Sequence, residues 1–318
     1  SNVEAIKDVV SLYDTDLLIS LLPLSHMFER TCGYYLTLKR GLTVAYARGI
    51  QQMGEDLAAI RPTILIAVPR VFQRFLARIE QGLSGSLIKR ELFDFTVKCG
   101  WRLYAGEASP LERIAYVGLK KMVADKIMAK LGGRLRLTAV GGAAVEARIA
   151  RTFIGLGLHM IQGYGLTESS PIVTANREGD NDPTSVGRPL AGLEVRVNDN
   201  HEIMVRGPNV MLGYWRNPEA TAAVLDGEGW LNTGDQAEVI DGRYYIRGRT
   251  KDILVLSTGE KLPPETVETA ILDDEVFEQV MIVGEGRAYV ILVAVTREAN
   301  EKKLLKQAND RLKDFTKW

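Results

Sequence analysis

The stretch LTAVGGAAVEARIARTFIGLGLHMIQGYGLTESSP, residues 137–171, decides the class of fold. It opens with an apolar run, turns at two adjacent glycines and continues as an amphipathic pattern that leads into a second apolar run. This order predicts a strand, a glycine turn, a helix and a further strand, as in a parallel α/β sheet. The segment YGLTE, residues 164–168, then stands where a strand leaves the sheet, and ligands of open α/β sheets bind at that edge.

The residues before this stretch show the same alternation of strands and helices. Apolar runs that predict strands are LLISLLPL (17–24), LTVAYA (42–47), TILIAVP (63–69) and RLRLTAV (134–140). A helix before the second of these runs is expected to stop at Gly41. Two longer patterns, Leu87–Tyr104 and Pro110–Leu131, predict helices because apolar residues such as Ile114, Val117 and Met122 recur at helical spacing. Strands joined by helices imply a parallel sheet.

The pattern of apolar and polar residues changes after Pro171. Short strands separated by Gly, Asn and Asp are predicted at LEVRV (193–197), HEIMVRG (201–207), QAEVI (236–240) and RYYIRG (243–248). The Asp-Gly pair between the last two predicts a hairpin, so a small antiparallel β subdomain is expected here. The polar segment that starts near residue 249 indicates a domain boundary. Beyond it, a helix over Glu265–Leu272, two strands and a charged helix predict a small α+β domain.

Composition narrows the class of protein. A length of 318 residues suggests two domains, and 40 basic against 40 acidic residues give no global field that would attract nucleic acid. Cys32 and Cys99 form no CxxC pair, and the three histidines form no HExxH cluster, so a zinc site is not expected. A reducing cytosol is the natural compartment, and no apolar run approaches the length of a membrane helix.

The segment YGLTE carries residue types suited to a nucleotide. Gly165 allows close approach of the backbone to a ligand, and Tyr164 offers an aromatic face to a flat base. Thr167 offers a hydroxyl to a phosphate oxygen, and Glu168 offers a hard carboxylate to Mg²⁺. The alternative is a strand-end turn with a threonine cap.

Four further segments carry candidate residues with simpler alternatives. Gly141 and Gly142 can expose backbone amides to a ligand or form only a tight strand-to-helix turn. In GWLNTGD, Asp235 follows a Thr-Gly turn and can accept hydrogen bonds from two ribose hydroxyls, or it can belong to an ordinary β-turn. In GRTKD, Arg249 can hold ribose or phosphate oxygens, or lie in a solvated charged loop. His26 can meet a carboxylate or be structural.

Taken together, YGLTE, NTGD and GRTKD in this order are specific. The chain resembles the adenylate-forming superfamily, which contains acyl-CoA synthetases, firefly-type luciferases and the adenylation domains of peptide synthetases. The segments LPLSHMFER, GPNVMLGYW and STGEKLPPETVE look most like those of long-chain fatty acid–CoA ligases. The resemblance runs from about Ser1 to Val295. It implies an α/β adenylation domain with a small antiparallel β subdomain over residues 1–248, and a mobile α+β domain over 249–318 with a hinge near 250–252.

The resemblance also implies the chemistry. A fatty acid and MgATP give acyl-AMP and pyrophosphate, and CoA then displaces AMP to give the thioester. Tyr164 would pack on the adenine, Thr167 would contact the α-phosphate, and Glu168 would bind Mg²⁺. Asp235 and Arg249 would hold the ribose. Gly141, Gly142 and Ala143 would edge the adenine and acyl pockets, and Gly163 would form part of the acyl wall. His26 would lie near the acyl carboxylate, and Lys251 matches the hinge.

Two family features are expected but not found. They are a Ser/Thr/Gly-rich phosphate loop before Ser1 and a catalytic lysine near the C-terminus, since Lys313 and Lys317 do not lie in the lysine motif. The sequence therefore resembles a middle fragment that is expected to be inactive alone. The alternatives left open are a short-chain, aryl or amino acid activator, and a non-catalytic nucleotide- or acyl-binding module. A cytoplasmic location is expected, with peripheral membrane contact and a homodimer left open.

Overall fold

The computed structural model describes residues 1–250, 252–272, 274, 276–296 and 300–312. By its internal contacts the chain divides into two units. The first holds residues 1–196, 204–233 and 239–245, and the second holds 197–203, 234–238 and 246–318.

The first unit is built on a seven-stranded sheet. Its strands are β1 (Leu17–Ser20), β2 (Thr43–Tyr46), β3 (Ile64–Ala67), β4 (Leu137–Val140), β5 (Met160–Gly165), β6 (Ile172–Ala175) and β7 (Arg188–Pro189). The order is β2-β1-β3-β4-β5-β6-β7, parallel from β2 to β5 and antiparallel from β5 to β7. The predicted parallel α/β sheet is confirmed. β1 is shorter than its apolar run, because the chain leaves the sheet before Pro23, which has no N–H to donate.

Helices surround this sheet. They are α1 (Asn2–Ala5), α2 (Leu36–Arg40), α3 (Met53–Ile60), α4 (Pro69–Leu83), α5 (Leu87–Tyr104), α6 (Pro110–Leu119), α7 (Asp125–Ala129), α8 (Ala147–Gly155) and α9 (Pro218–Ala222). Gly41 ends α2 in the left-handed conformation, as predicted. The helix expected over Pro110–Leu131 runs without a break from Pro110 to Ala129, but a π-helical turn at Lys120–Ala124 within it divides it into α6 and α7. That turn keeps Leu119 and Ala124, five residues apart, both buried.

Both faces of the inner parallel strands β1, β3 and β4 are buried, as expected when helices cover a parallel sheet, whereas the edge strand β2 is partly exposed. Ile19, Leu65 and Ala67 point into the larger core with Phe72 and Phe153. Their neighbours along the strands point to the opposite face and form a second apolar cluster, whose strand residues are Leu18, Ile64, Ile66, Leu137 and Ile161. This second face carries the candidate site.

The remaining strands form smaller sheets. β8 (Glu194–Val197), β9 (Glu202–Arg206), β10 (Leu231–Ile240) and β11 (Arg243–Arg249) pair in the order β11-β10-β9-β8. The predicted hairpin turn at Asp241-Gly242 is confirmed, with positive φ at both residues. The predicted Thr-Gly turn before Asp235 is wrong: Thr233 and Gly234 lie inside β10, where Gly234 alone takes a left-handed φ of 71°.

The α+β part of the second unit has its own core. Its elements are β12 (Leu254–Val255), β13 (Lys261–Leu262), α10 (Pro264–Leu272), β14 (Phe277–Val283), β15 (Ile291–Thr296) and α11 (Glu301–Arg311). β14 and β15 pair antiparallel and pack on α10 through Val267, Ile271 and Phe277. The predicted helix begins one residue early because Pro264 suits the first turn of a helix.

Candidate nucleotide and acyl site

A cavity of about 220 Å³ lies on the second face of the parallel sheet. Its walls are aliphatic side chains of the strands, among them Leu18, Ile66 and Ile161. The opposite wall comes from the segment after β1, where Phe28, Cys32 and other residues of the turn before α2 reach the cavity. Such an apolar lining favours an apolar ligand.

Most of the site residues that the sequence predicts in the first unit line this cavity. Those that line it are His26, Gly141, Gly142, Gly163, Tyr164, Gly165 and Thr167. Ala143 is exposed and does not line it. An apolar chamber therefore meets backbone amides, an aromatic ring and a hydroxyl at the carboxyl end of β4 and β5, where ligands of open sheets bind.

The end of β5 is shaped by a close approach of two backbones. A Cβ atom on Gly165 would lie 1.9 Å from the carbonyl oxygen of Pro171. The N–H of Leu166 donates to that same oxygen at 2.9 Å. Only glycine fits there, and the chain then turns through a short 3₁₀ segment, Thr167–Ser169. This folding presents Thr167 at the cavity instead of continuing the strand.

Glu168 is held by residues of GPNVMLGYW (207–215), a segment for which the sequence predicted no role in the site. The hydroxyl of Tyr214 donates to Oε1 of Glu168 at 2.7 Å, and the N–H of Met211 donates to the Glu168 carbonyl at 2.8 Å. The buried Asn209 donates through Nδ2 to the carbonyl of Ser169 at 2.9 Å. The hydrogen bond to Glu168, and then burial, raise the pKa of Tyr214. Spacing along the chain could not have predicted this bracing, because 46 residues separate Tyr214 from Glu168.

The glycine turn after β4 is fixed by another residue that sequence reasoning missed. Gln162 is buried, and its Oε1 accepts a hydrogen bond from the N–H of Val145 at 2.7 Å. Its Nε2 donates to the carbonyl of Ser185 at 3.1 Å. A Cβ on Gly141 would lie 3.3 Å from the ring of Phe28, so this glycine lets the ring cover the turn. A buried glutamine in a strand that is otherwise apolar was the available signal.

In the second unit, the NTGD and GRTKD segments meet. Asp235 is 8% exposed, and Nε of Arg249 donates to its Oδ1 at 3.0 Å. The N–H of Thr250 donates to the carbonyl of Gly234, and its hydroxyl donates to Oε1 of Glu202 at 2.8 Å. The two predicted ribose-binding residues are therefore neighbours. Lys251 lies outside the described residues.

A buried carboxyl group lies behind the cavity wall. Glu29 is fully buried in a π-helical turn, Glu29–Tyr35, and neither of its oxygens has a hydrogen bond of good geometry. Burial raises the pKa of Glu29 despite the nearby Ser20 hydroxyl and Leu22 backbone. Burial, and then the charge of Glu29, raise the pKa of the neighbouring Cys32 thiol to about 12. A Cβ on Gly33 would lie 2.2 Å from Oε1 of Glu29, so glycine leaves room for the carboxyl group.

Replacement of Glu29 by glutamine is expected to stabilise the protein at neutral pH. The folded protein holds this proton more tightly than the unfolded chain, so the wild type loses stability as pH rises from the unfolded pKa through the raised folded pKa. Glutamine keeps the shape and removes that ionisation. In urea denaturation, the free energy of unfolding of Glu29→Gln should exceed that of the wild type most at pH values above the folded pKa of Glu29. Below the unfolded pKa of Glu29, the two proteins should be equally stable. A difference that does not change with pH would contradict this prediction.

Among the described residues, no group of three or more His, Cys, Asp and Glu side chains could hold a metal ion by itself. Both cysteines are free and buried. In the same part of the chain, no helix has the length and apolar character needed to cross a bilayer.

Comparison with known proteins defines the class. Residues 1–215 match the family of AMP-binding enzymes, and residues 251–315 match the C-terminal domain of AMP-binding enzymes. The chain therefore belongs to the AMP-binding enzyme family, and its resemblance to the adenylate-forming superfamily is confirmed.

Two curated relatives to which the chain is similar are ligases of fatty acids. The chain is 31% identical over 290 residues to the long-chain-fatty-acid–CoA ligase FadD15 of Mycobacterium bovis, which covers 89% of this chain and 48% of that protein. It is 34% identical over 309 residues to long-chain-fatty-acid–CoA ligase 1 of Homo sapiens, covering 92% of this chain and 43% of that one. The chain spans about half the length of the curated relatives it matches.

Solved structures share the fold. ATP-bound MatB from Rhodopseudomonas palustris superposes with a TM-score of 0.71 at 24% identity, covering 99% of this chain and 57% of that one. O-succinylbenzoate coenzyme A synthetase from Bacillus subtilis, in complex with ATP and magnesium ion, superposes with a TM-score of 0.69 at 18% identity, covering 98% and 58%.

Proposed function

We propose that this chain belongs to a long-chain fatty acid–CoA ligase. The observation that carries the proposal is the cavity, in which an aliphatic chamber opens onto Gly141, Tyr164 and Thr167. One end suits a hydrocarbon chain, and the other suits a carboxylate that must meet a nucleotide. The named relatives at about one-third identity, both fatty acid ligases, support the same substrate class.

The reaction has two steps. The fatty acid carboxylate attacks the α-phosphate of ATP, and pyrophosphate leaves. The CoA thiolate then attacks the acyl carbonyl, and AMP leaves with the electron pair of the broken C–O bond. Activation is needed because a free carboxylate is a poor electrophile, whereas AMP is a good leaving group.

The roles of the first-unit residues follow from their chemistry. Tyr164 packs on the adenine, and Gly165 brings the backbone close enough for this contact. The hydroxyl of Thr167 donates to the α-phosphate, and His26 contacts the acyl carboxylate. Gly141 and Gly142 edge the adenine and acyl pockets, and Gly163 forms part of the acyl wall. Ala143, which does not line the cavity, has no role in this proposal.

A magnesium ion fits the site through a single protein ligand. Glu168 would hold the ion through a hard carboxylate, which Tyr214 keeps in place by its hydrogen bond. When bound, the ion neutralises charge on the phosphates. Glu168 and Tyr214 need only keep the carboxylate oriented.

In the second unit, Asp235 accepts hydrogen bonds from the two ribose hydroxyls, and Arg249 supports it. Their pairing in this structure holds both side chains ready for a ligand. By the family resemblance, the adenylation domain extends to about residue 248 and so includes Asp235, and a hinge near 250–252 joins it to the mobile domain. A hinge there allows one enzyme to complete two different active sites in turn.

Calorimetric binding of acyl-sulfamoyl adenosines of increasing chain length tests this function. These uncleavable mimics of acyl-AMP require no chemical step. Each methylene that enters the chamber is worth about 0.8 kcal/mol, roughly fourfold in affinity, until the chamber is full. We expect affinity to rise with chain length, and aminoacyl and benzoyl analogues to bind weakly. Equal or tighter binding of a benzoyl or aminoacyl analogue would assign the site to another carboxylate.

A further inference from the structure

Helix α6 has two apolar faces, of which only one is covered. Tyr116 and Leu119 are buried with Cys99 of α5. On the other side, Leu111, Ile114 and Val117 recur at every third residue and are 79%, 72% and 65% exposed. A surface helix of a globular protein usually carries polar residues on its outer face. The helical spacing that predicted this helix therefore says nothing about what covers its outer side.

Further exposed apolar side chains lie outside α6. Met122, in the π-helical turn that follows, is 49% exposed. Leu87 and Ile88, at the start of α5, are 81% and 78% exposed. The short connection 105–109 makes α5 and α6 a helical hairpin, so the start of α5 lies toward the same end as the π-helical turn. We call Leu111, Ile114, Val117 and Met122 the α6 stripe.

Positive charge is concentrated around the α6 stripe. Residues 86–134 contain ten Lys and Arg but only five Asp and Glu, whereas the whole chain is neutral. Lys121 and Lys126 are exposed and have no ion pair within the described part of the chain, while Lys120 pairs with Asp125 at 2.9 Å. Arg113, on α6 itself, is also exposed. Apolar side chains and cations thus share one surface of a chain with no net charge.

We propose that the α6 stripe and its flanking lysines dock on the surface of a membrane that contains anionic lipids. Helices that lie in a membrane interface combine an apolar face with Lys and Arg beside it. The aliphatic stems of lysine can follow the apolar surface while their ammonium groups reach lipid phosphates. A second copy of this chain is a poorer occupant, because isologous contact would bring the same cations together.

Flotation with lipid vesicles tests the docking. Vesicles of phosphatidylcholine with an equal share of phosphatidylglycerol are compared with vesicles of phosphatidylcholine alone. We expect the wild-type chain to bind the anionic vesicles at least about tenfold more tightly, because each Lys or Arg near an anionic surface contributes independently. Added salt should weaken the binding. Equal binding to both kinds of vesicle, or to neither, would overturn the proposal.

Two double variants locate the surface. Ile114→Glu with Val117→Glu removes the apolar face, and Lys121→Glu with Lys126→Glu reverses two charges. Each is expected to lower binding to anionic vesicles by about tenfold or more. Leu38→Glu is the matched control, since Leu38 is 65% exposed on another helix that also carries Lys39 and Arg40. Full binding by either double variant, or equal loss in the control, would refute this location.

Folding and self-association are checked on the same samples. All substituted side chains are exposed, so the thermal transition of each variant should match that of the wild type. Light scattering should give the same mass for the wild type and for the apolar double variant. A wild-type dimer that this variant dissociates would assign the α6 stripe to a second copy and overturn the membrane proposal. Because no nucleotide or fatty acid is present, these outcomes are independent of the proposed reaction.

Discussion

Asp235→Ala is expected to weaken binding of a long-chain acyl-sulfamoyl adenosine by about two orders of magnitude. If Asp235 accepts from two ribose hydroxyls, its loss removes two hydrogen bonds to a charged acceptor, each worth about 1.5–3 kcal/mol. That sum corresponds to a factor of a hundred or more in Kd. The fold should tolerate the change, because the partner Arg249 has a 59% exposed side chain that water can solvate.

Glu238→Ala is the matched control for this experiment. Glu238 lies on the same strand, β10, and also pairs with an arginine, Arg247, but its side chain is 51% exposed. Its removal should leave the affinity unchanged, and calorimetry on both variants separates loss of the site from loss of charge. Wild-type affinity in Asp235→Ala would show that the ribose is held elsewhere, even if the fatty analogue still binds.

Gly100→Ala is expected to destabilise the first unit by about 3 kcal/mol. A Cβ on Gly100 would lie 1.9 Å from the carbonyl oxygen of Gly155 and 2.7 Å from the ring of Tyr116. A Cβ on Gly155 would in turn meet the carbonyl of Val97 at 2.5 Å, so α5 and α8 cross with their backbones in contact. Overpacking usually costs about 1–3 kcal/mol, and this case falls at the upper end because a backbone cannot rotate away.

The added methyl group also threatens a buried hydrogen bond. The hydroxyl of Tyr116 donates to the carbonyl of Gly155 at 2.8 Å, and separation of the helices would break it. Gly118→Ala on the exposed side of α6 is the control, because nothing lies within 4 Å of its added Cβ. That variant should gain up to about 1 kcal/mol from helix propensity. Equal free energies of unfolding for the two variants in urea would contradict a close crossing.

Periodicity predicted the elements well where local signals agreed. α5 was expected over Leu87–Tyr104 and has those bounds, with the Ser86 side chain capping its first turn. The order of strands and helices before residue 171 implied the parallel sheet that is observed. Local signals failed at Lys120–Ala124 and at Thr233-Gly234. The first is a π-helical turn within a continuous helix, and the second is a left-handed glycine within β10.

The candidate site shows a similar division. Residue types alone nominated Tyr164, Thr167 and Gly141, because aromatic, hydroxyl and glycine positions at strand ends suit a nucleotide. Nothing local identified Tyr214, and the glutamine in an apolar strand that marked Gln162 did not reveal its partner. Their side chains reach across 46 and 17 residues of sequence to hold those segments. Long-range hydrogen bonds of this kind have no period or spacing by which a sequence could reveal them.

By itself, the sequence determined the alternation of strands and helices, the positions of the chemical groups and the family to which they belong, because periodicity and residue type are local properties. Only the tertiary structure decided which apolar faces are covered. Ile114 and Ile149 both lie at regular helical spacing, yet the first is 72% exposed and the second is 2% exposed. Burial depends on what packs against a face, and that is decided by contacts between residues far apart in the chain.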